Sequence, residues 1–171
     1  MRLFVAILLP EPVKDALCRG ISALKEQGGG NFTRRENLHL TLAFLGETTK
    51  YREAVKALQT VQAAPFQLTL QKTGNFGPLI WAGAEAVPAL MALQEQTAQA
   101  LRSAGFRLDE KNFRPHLTLC RQFAPYDRLD RRRVEQAIGV PSFRVEKISL
   151  MNSERLNGKL TYTEVYSRKL T

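Results

Sequence analysis

Apolar residues along this 171-residue chain fall into short continuous runs, alternating runs and helical stripes. Leu3 to Leu9 is a continuous apolar run stopped by Pro10 and Pro12, the pattern of a buried central strand. From Val13 to Glu26 the apolar positions Val13, Ala16, Leu17, Ile21 and Leu24 recur at helical spacing. Gly28-Gly29-Gly30 ends that helix and opens a loop through Asn31 to Arg35, where Arg34 and Arg35 are either solvated or set to meet a nucleic acid backbone. Asn37 to Leu45 reads as a strand closed by Gly46. A helix over about Thr49 to Ala63 turns Ala54, Val55, Leu58 and Val61 inward, with Thr48 or Thr49 as its N-cap.

Phe66, Leu68 and Leu70 alternate with polar residues as in a half-buried strand, and a turn at Gly74 to Pro78 leads into a second strand, Leu79 to Gly83. The next helix spans about Pro88 to Ala104, with Leu90, Leu93, Thr97, Ala100 and Leu101 as its inner stripe, and Gly105 stops it. A charged loop, Arg107 to Asn112, precedes Pro115, which lacks a backbone donor and so belongs at a strand's start or edge. Tyr126 to Ile138 reads as a short basic helix. Strands over Phe143 to Met151 and Leu160 to Arg168 close the chain around Asn157-Gly158, a hairpin signal. No linker or composition break divides it, so residues 1–171 read as one α+β domain. The layout repeats: helix, loop, strand, helix, two strands. This predicts two pseudo-symmetric lobes.

One feature of the pattern carries chemistry. His39-Leu40-Thr41-Leu42 and His116-Leu117-Thr118-Leu119 are the same four residues, and they use both histidines of the chain. In a strand, alternate side chains share a face, so each His stands beside its Thr, roughly 7 Å away, while the leucines point into a core. Two such strands brought together offer two imidazoles and two hydroxyls to one small anion.

Composition adjusts this picture only in places. The formal net charge of +9 favours polyanionic partners such as nucleic acid or phosphorylated metabolites. Two cysteines, Cys18 and Cys120, make no disulfide framework, and the N-terminal apolar run is too short to span a membrane. A cytoplasmic monomer without a membrane partner is the expectation.

Three chemistries compete for the repeated motif. Zinc takes three or four Cys, His or carboxylate ligands, and two histidines with Cys120 alone make a poor set, so no metal is expected. A Cys–His nucleophile needs Cys120 near an imidazole, but along one strand it lies about 13 Å from His116. Acid–base catalysis at phosphorus fits: one imidazole accepts a proton, the other donates one, and the hydroxyls hold phosphate oxygens. Water serves as nucleophile, and a strained cyclic phosphodiester is the natural substrate. Nothing in the spacing distinguishes the two histidines.

The text around the motifs, Glu36 to Glu47 and Arg114 to Arg121, with Arg2 to Ala6 and Tyr162 to Leu170, resembles the 2H phosphoesterase superfamily. The likeness is to its RNA 2′,3′-cyclic phosphodiesterase branch, formerly called 2′-5′ RNA ligase. The resemblance implies a bilobal α+β fold with two antiparallel sheets lining a central cleft and helices outside. It implies hydrolysis of RNA 2′,3′-cyclic phosphate ends (tRNA fragments among them) or of cyclic nucleotides, without metal or other cofactor. By the same resemblance His39 is the proton donor, His116 the proton acceptor, and Thr41 and Thr118 hold the phosphate. Phe44 and Arg121, five residues after each His, bracket the terminal base. Strict alternation puts an offset of five on the wrong face, so both strands must bend or bulge after HLTL. The alternatives are action on 2′-5′ linkages or other cyclic nucleotide phosphates, and a module that binds RNA ends without turnover.

Overall fold

The computed structural model describes residues 1–109 and 111–171. Its elements run β1 (Arg2–Leu8), α1 (Glu11–Lys25), β2 (Gly28–Phe32), a 3₁₀ turn (Arg35–Asn37), β3 (His39–Glu47), α2 (Tyr51–Gln59), β4 (Phe66–Phe76) and β5 (Leu79–Ala84). Then follow α3 (Pro88–Ser103), β6 (His116–Pro125), α4 (Arg131–Ile138), β7 (Ser142–Val145), β8 (Lys147–Leu156) and β9 (Lys159–Lys169). The strands form two antiparallel sheets, ordered β3-β1-β8-β9 and β2-β6-β5-β4-β7. Helices α2 and α3 pack together on the first sheet, α1 and α4 on the second, and the sheets approach each other where β3 meets β6.

The predicted α+β arrangement of two antiparallel sheets is present, but the lobes are not the two halves of the chain. β2, β4 and β5 come from the first half yet complete the sheet of the second HLTL strand. β8 and β9 come from the end and complete the sheet of the first. The expected strand Phe143–Met151 is the point of crossing. It breaks at Glu146 into β7, which pairs with β4, and β8, which pairs with β1 and β9. Alternation alone cannot reveal which sheet a strand joins, because both cores select the same apolar residues.

The Gly28-Gly29-Gly30 segment is likewise not a loop but an edge strand on β6. A side chain at Gly30 would have its Cβ 2.7 Å from Cys120 Sγ and 3.0 Å from the Arg121 carbonyl oxygen, so only glycine lets this strand lie so close. Other differences are of extent. α2 begins at Tyr51 after Lys50, and neither threonine caps it; Thr48 Oγ1 instead accepts a bond from Lys50 N at 3.0 Å. α4 begins at Arg131 behind the cap Asp130, whose side chain accepts from Arg133 N. β4 runs through Gly74 to Phe76, leaving Gly77-Pro78 as the turn. Pro115 immediately precedes β6, and its carbonyl accepts from Ala84 N at 3.2 Å. Asn157 and Gly158 both take positive φ, 52° and 76°, the conformation a two-residue hairpin turn with right-handed strand twist requires.

Leu40, Leu42, Leu117 and Leu119 are at most 3% exposed and join one hydrophobic cluster that takes residues from both sheets and all four helices. Each such leucine contributes about 1.5–3 kcal/mol by its burial, which fixes the polar face of both strands outward. Among the described residues no helix is long and apolar enough to cross a membrane.

Candidate active site

His39 opens β3 and His116 opens β6, each after a carbonyl that sets its ring. His39 Nδ1 lies 2.7 Å from the Asn37 carbonyl oxygen, and His116 Nδ1 lies 2.6 Å from that of Arg114. A carbonyl only accepts, so Nδ1 carries hydrogen in both rings, and Nε2 is left as the nitrogen that exchanges a proton. The offset is the same, two residues back, in both motifs. This backbone contact has no side-chain signature, so no sequence pattern announces it.

The two motifs share one more device. The pairing of β3 with β1 skips a residue between Thr41 and Ala43, and that of β6 with β5 skips one between Thr118 and Cys120. Leu42 and Leu119 are therefore the extra residues of two bulges, each three positions after its histidine. Both strands bury two consecutive side chains there (Leu42 and Ala43; Leu119 and Cys120) and then return Phe44 and Arg121 to the exposed face. Phe44 lies opposite Phe4, whose ring centroid is 5.0 Å from that of His39, so Phe44 shares the histidine's face. The bulges required for an offset of five are in place. Phe44 is 50% exposed, with the Arg2 guanidinium 5.0 Å from its ring centroid.

Around His39 the first sheet curls. Phe4 and Tyr162 flank the imidazole, Tyr162 edge-on at 5.2 Å between centroids, although Tyr162 comes from the far strand, β9. Asn37 Nδ2 and Arg34 Nη2 both donate to the Leu160 carbonyl, the former at 2.9 Å, and so fasten the start of β9 to the turn before β3. Arg34 also pairs with Glu36, and Arg35 with Glu11 and Asp15, so both arginines are engaged within the chain. The hydrogen bonds that Arg35 donates to Glu11 and Asp15 raise its pKa further above the ordinary value.

His39 Nε2 lies 2.8 Å from Thr41 Oγ1. Burial lowers its pKa below the ordinary 6.5; the Asn37 carbonyl opposes this, and the positive charges of Arg121 and His116 lower it further. Those two charges act across the gap between the sheets, so residues 77 positions apart in sequence meet in one electrostatic site. His116 is flanked instead by Phe76 and Trp81 from β4 and β5. Thr118 is held by its backbone: its carbonyl accepts from Thr33 Oγ1 at 2.9 Å, and Trp81 is its neighbour on β5.

Cys120 is fully buried, and burial pushes its thiol pKa up, which leaves it unsuited to attack. No group of three or more His, Cys, Asp or Glu residues comes together as a metal site among the described residues.

A paired-histidine site between two antiparallel sheets defines a 2H-type phosphoesterase fold, and comparison with known proteins places the chain within it. Residues 13–157 match the 2′-5′ RNA ligase superfamily, and the chain belongs to that family. A Thermotoga maritima protein named RNA 2′,3′-cyclic phosphodiesterase is 37% identical over 131 residues, which cover 71% of this chain and 70% of that one. The Escherichia coli protein of the same name is 29% identical across 99% of this chain and 97% of its own. The chain spans 41% of the length of a Geobacillus stearothermophilus relative, also of that name and 33% identical over 130 residues. Among solved structures, TT0787 of Thermus thermophilus superposes with a TM-score of 0.84 at 27% identity, covering 99% of this chain and 97% of that one. E. coli LigT complexed with 3′-AMP gives 0.80 at 26% identity, with the same coverage.

Proposed function

We propose that this chain hydrolyses RNA 2′,3′-cyclic phosphodiester ends to 2′-phosphomonoesters by acid–base catalysis between His39 and His116. The observation that carries the proposal is the pair of imidazoles on facing strands, each with Nδ1 held by a backbone carbonyl and Nε2 left for proton exchange. His116 Nε2 takes a proton from water as the water oxygen bonds to phosphorus. His39 Nε2 gives a proton to the departing 3′ oxygen as the P–O3′ bond breaks. Thr41 and Thr118 donate hydrogen bonds to the non-bridging oxygens, and Phe44 and Arg121 flank the terminal base.

The assignment of acid and base follows the family, and the lowered pKa of His39 is compatible with it. A phosphate anion between the rings favours the protonated imidazole, so substrate itself restores the proton that burial and cationic neighbours disfavour. The names of the relatives and the 3′-AMP bound to E. coli LigT support a nucleotide end as substrate. We read the whole chain as one unit acting as a monomer, since both imidazoles and both hydroxyls come from a single chain.

The test is an RNA ending in a 2′,3′-cyclic phosphate incubated with the protein in EDTA. A 2′-phosphate product is expected. A 3′-phosphate product, or activity that appears only on adding a divalent metal, overturns the mechanism, and binding without any product leaves an end-binding module in its place.

A further inference from the structure

The second sheet carries an aromatic platform that the proton transfers do not use. Phe76 and Trp81 stand on the β4–β5 hairpin, and the register (Phe76 opposite Leu79, Gly74 opposite Trp81, Trp81 opposite Thr118) puts both on the face of His116. Phe76 lies 5.4 Å from Trp81 and 5.1 Å, edge to face, from His116 between ring centroids. The platform is built rigidly. A Cβ on Gly74 would fall 2.2 Å from the indole and one on Gly83 3.3 Å from it, so two positions without side chains form its slot. At the hairpin tip Asn75 Nδ2 donates to the Gly77 carbonyl at 3.0 Å, and Arg131 Nη2 donates to Asn75 Oδ1 at 2.8 Å.

Yet Phe76 keeps 37% of its surface exposed. A ring wanted only as core would be covered, whereas this one contacts Trp81 and His116 and still leaves more than a third of its surface open. It stands beside the site proposed for phosphate in a protein of net charge +9. A flat, rigid, open aromatic next to a phosphate-binding imidazole suits a nucleobase, and stacking of this kind tolerates any base.

We propose that Phe76, backed by Trp81, stacks the base adjoining the terminal nucleotide, so that the enzyme favours RNA ends of two or more nucleotides over cyclic mononucleotides. The inference rests on the cyclic phosphate lying between His39 and His116. It predicts a dependence on length with little dependence on sequence.

The experiment compares kcat/KM for 2′,3′-cyclic AMP and for a tetra-adenylate ending in a 2′,3′-cyclic phosphate, in the wild type, Phe76→Leu and Phe76→Tyr. The wild type should prefer the tetranucleotide by roughly tenfold, the size of one stacked base. Phe76→Leu should bring the ratio near one, and Phe76→Tyr should keep it. A wild type without preference, or a Phe76→Leu that slows both substrates equally, overturns the platform; the second result would reduce Phe76 to a support for His116. Should the wild type cleave neither substrate, the proposed reaction fails, and binding then decides on the platform. Trp81 is the only tryptophan, so its fluorescence reads this place alone. Tetra-adenylate with a 3′-phosphate should quench it more strongly than 3′-AMP in the wild type but not in Phe76→Leu, and equal quenching by the two overturns the platform.

Discussion

The two HLTL strands have one sequence, one bulge and one backbone anchor, yet they sit in unlike places. β3 is the edge of its sheet, and β6 is interior, between β2 and β5. His39 is enclosed by Phe4 and a tyrosine from the far strand, with Nε2 engaged by Thr41. His116 faces an open hairpin, and among the described residues no corresponding bond joins it to Thr118. The repeat therefore delivers geometry, and the surroundings set the proton affinity of His39, which burial lowers below its ordinary value. Identical motifs become unequal partners through what packs around them.

The strongest way to break this comparison is to remove each imidazole in turn. His39→Ala and His116→Ala should each lower kcat for cyclic-phosphate hydrolysis by about 10²–10⁴-fold in single-turnover assays. A variant that retains wild-type turnover would mean that its half is only scaffold.

A smaller effect separates the anchors. Asn37 is 6% exposed, and its side chain secures Leu160, whereas the corresponding Arg114 side chain is solvated. Asn37→Ala should cost about 1 kcal/mol in urea unfolding, because it removes the hydrogen bond of a buried side chain to the Leu160 carbonyl, which keeps Arg34 as its other donor. Arg114→Ala should stay within about 0.5 kcal/mol. Equal losses would contradict the asymmetry of the two surroundings.

The smallest effect is in titration. With two histidines in the chain, NMR of the imidazole C–H signals resolves each, and His39→Gln assigns them. The His39 signal should titrate below 6.5 in the free protein and move upward when inorganic phosphate is added. A folded-state pKa below the unfolded value means that the unfolded chain binds more protons as pH falls. This part of the stability is therefore full above about pH 6.5 and is lost as pH drops through the folded pKa. His39→Gln should flatten that acid-side decline in the urea midpoint; a decline unchanged by the substitution would assign it to other groups.

Much of this was legible in the sequence. The leucines of each HLTL state which face is core, and the required offset of Phe44 and Arg121 demanded bulges that are present at Leu42 and Leu119. What alternation cannot carry is the choice of partner. Nothing local distinguishes β7 from β8 across Glu146, and a triple glycine after a helix reads as a stop even when its bareness serves to press β2 onto Cys120. Tyr162 beside His39 and Phe76 beside His116 were equally invisible, since contacts between distant strands leave no spacing to read.

The crossing of strands between sheets also orders events during synthesis. Tyr162 and the Leu160 carbonyl, which enclose His39 and fasten its turn, lie more than a hundred residues downstream. The earlier histidine thus waits, half-housed, while α2, β4, β5, α3 and β6 emerge from the ribosome. β6 by then has β5, β4 and β2 to hand. On a ribosome adding about 5–20 residues per second, the aromatic neighbours of the later histidine are made before Tyr162, the last neighbour of the earlier one.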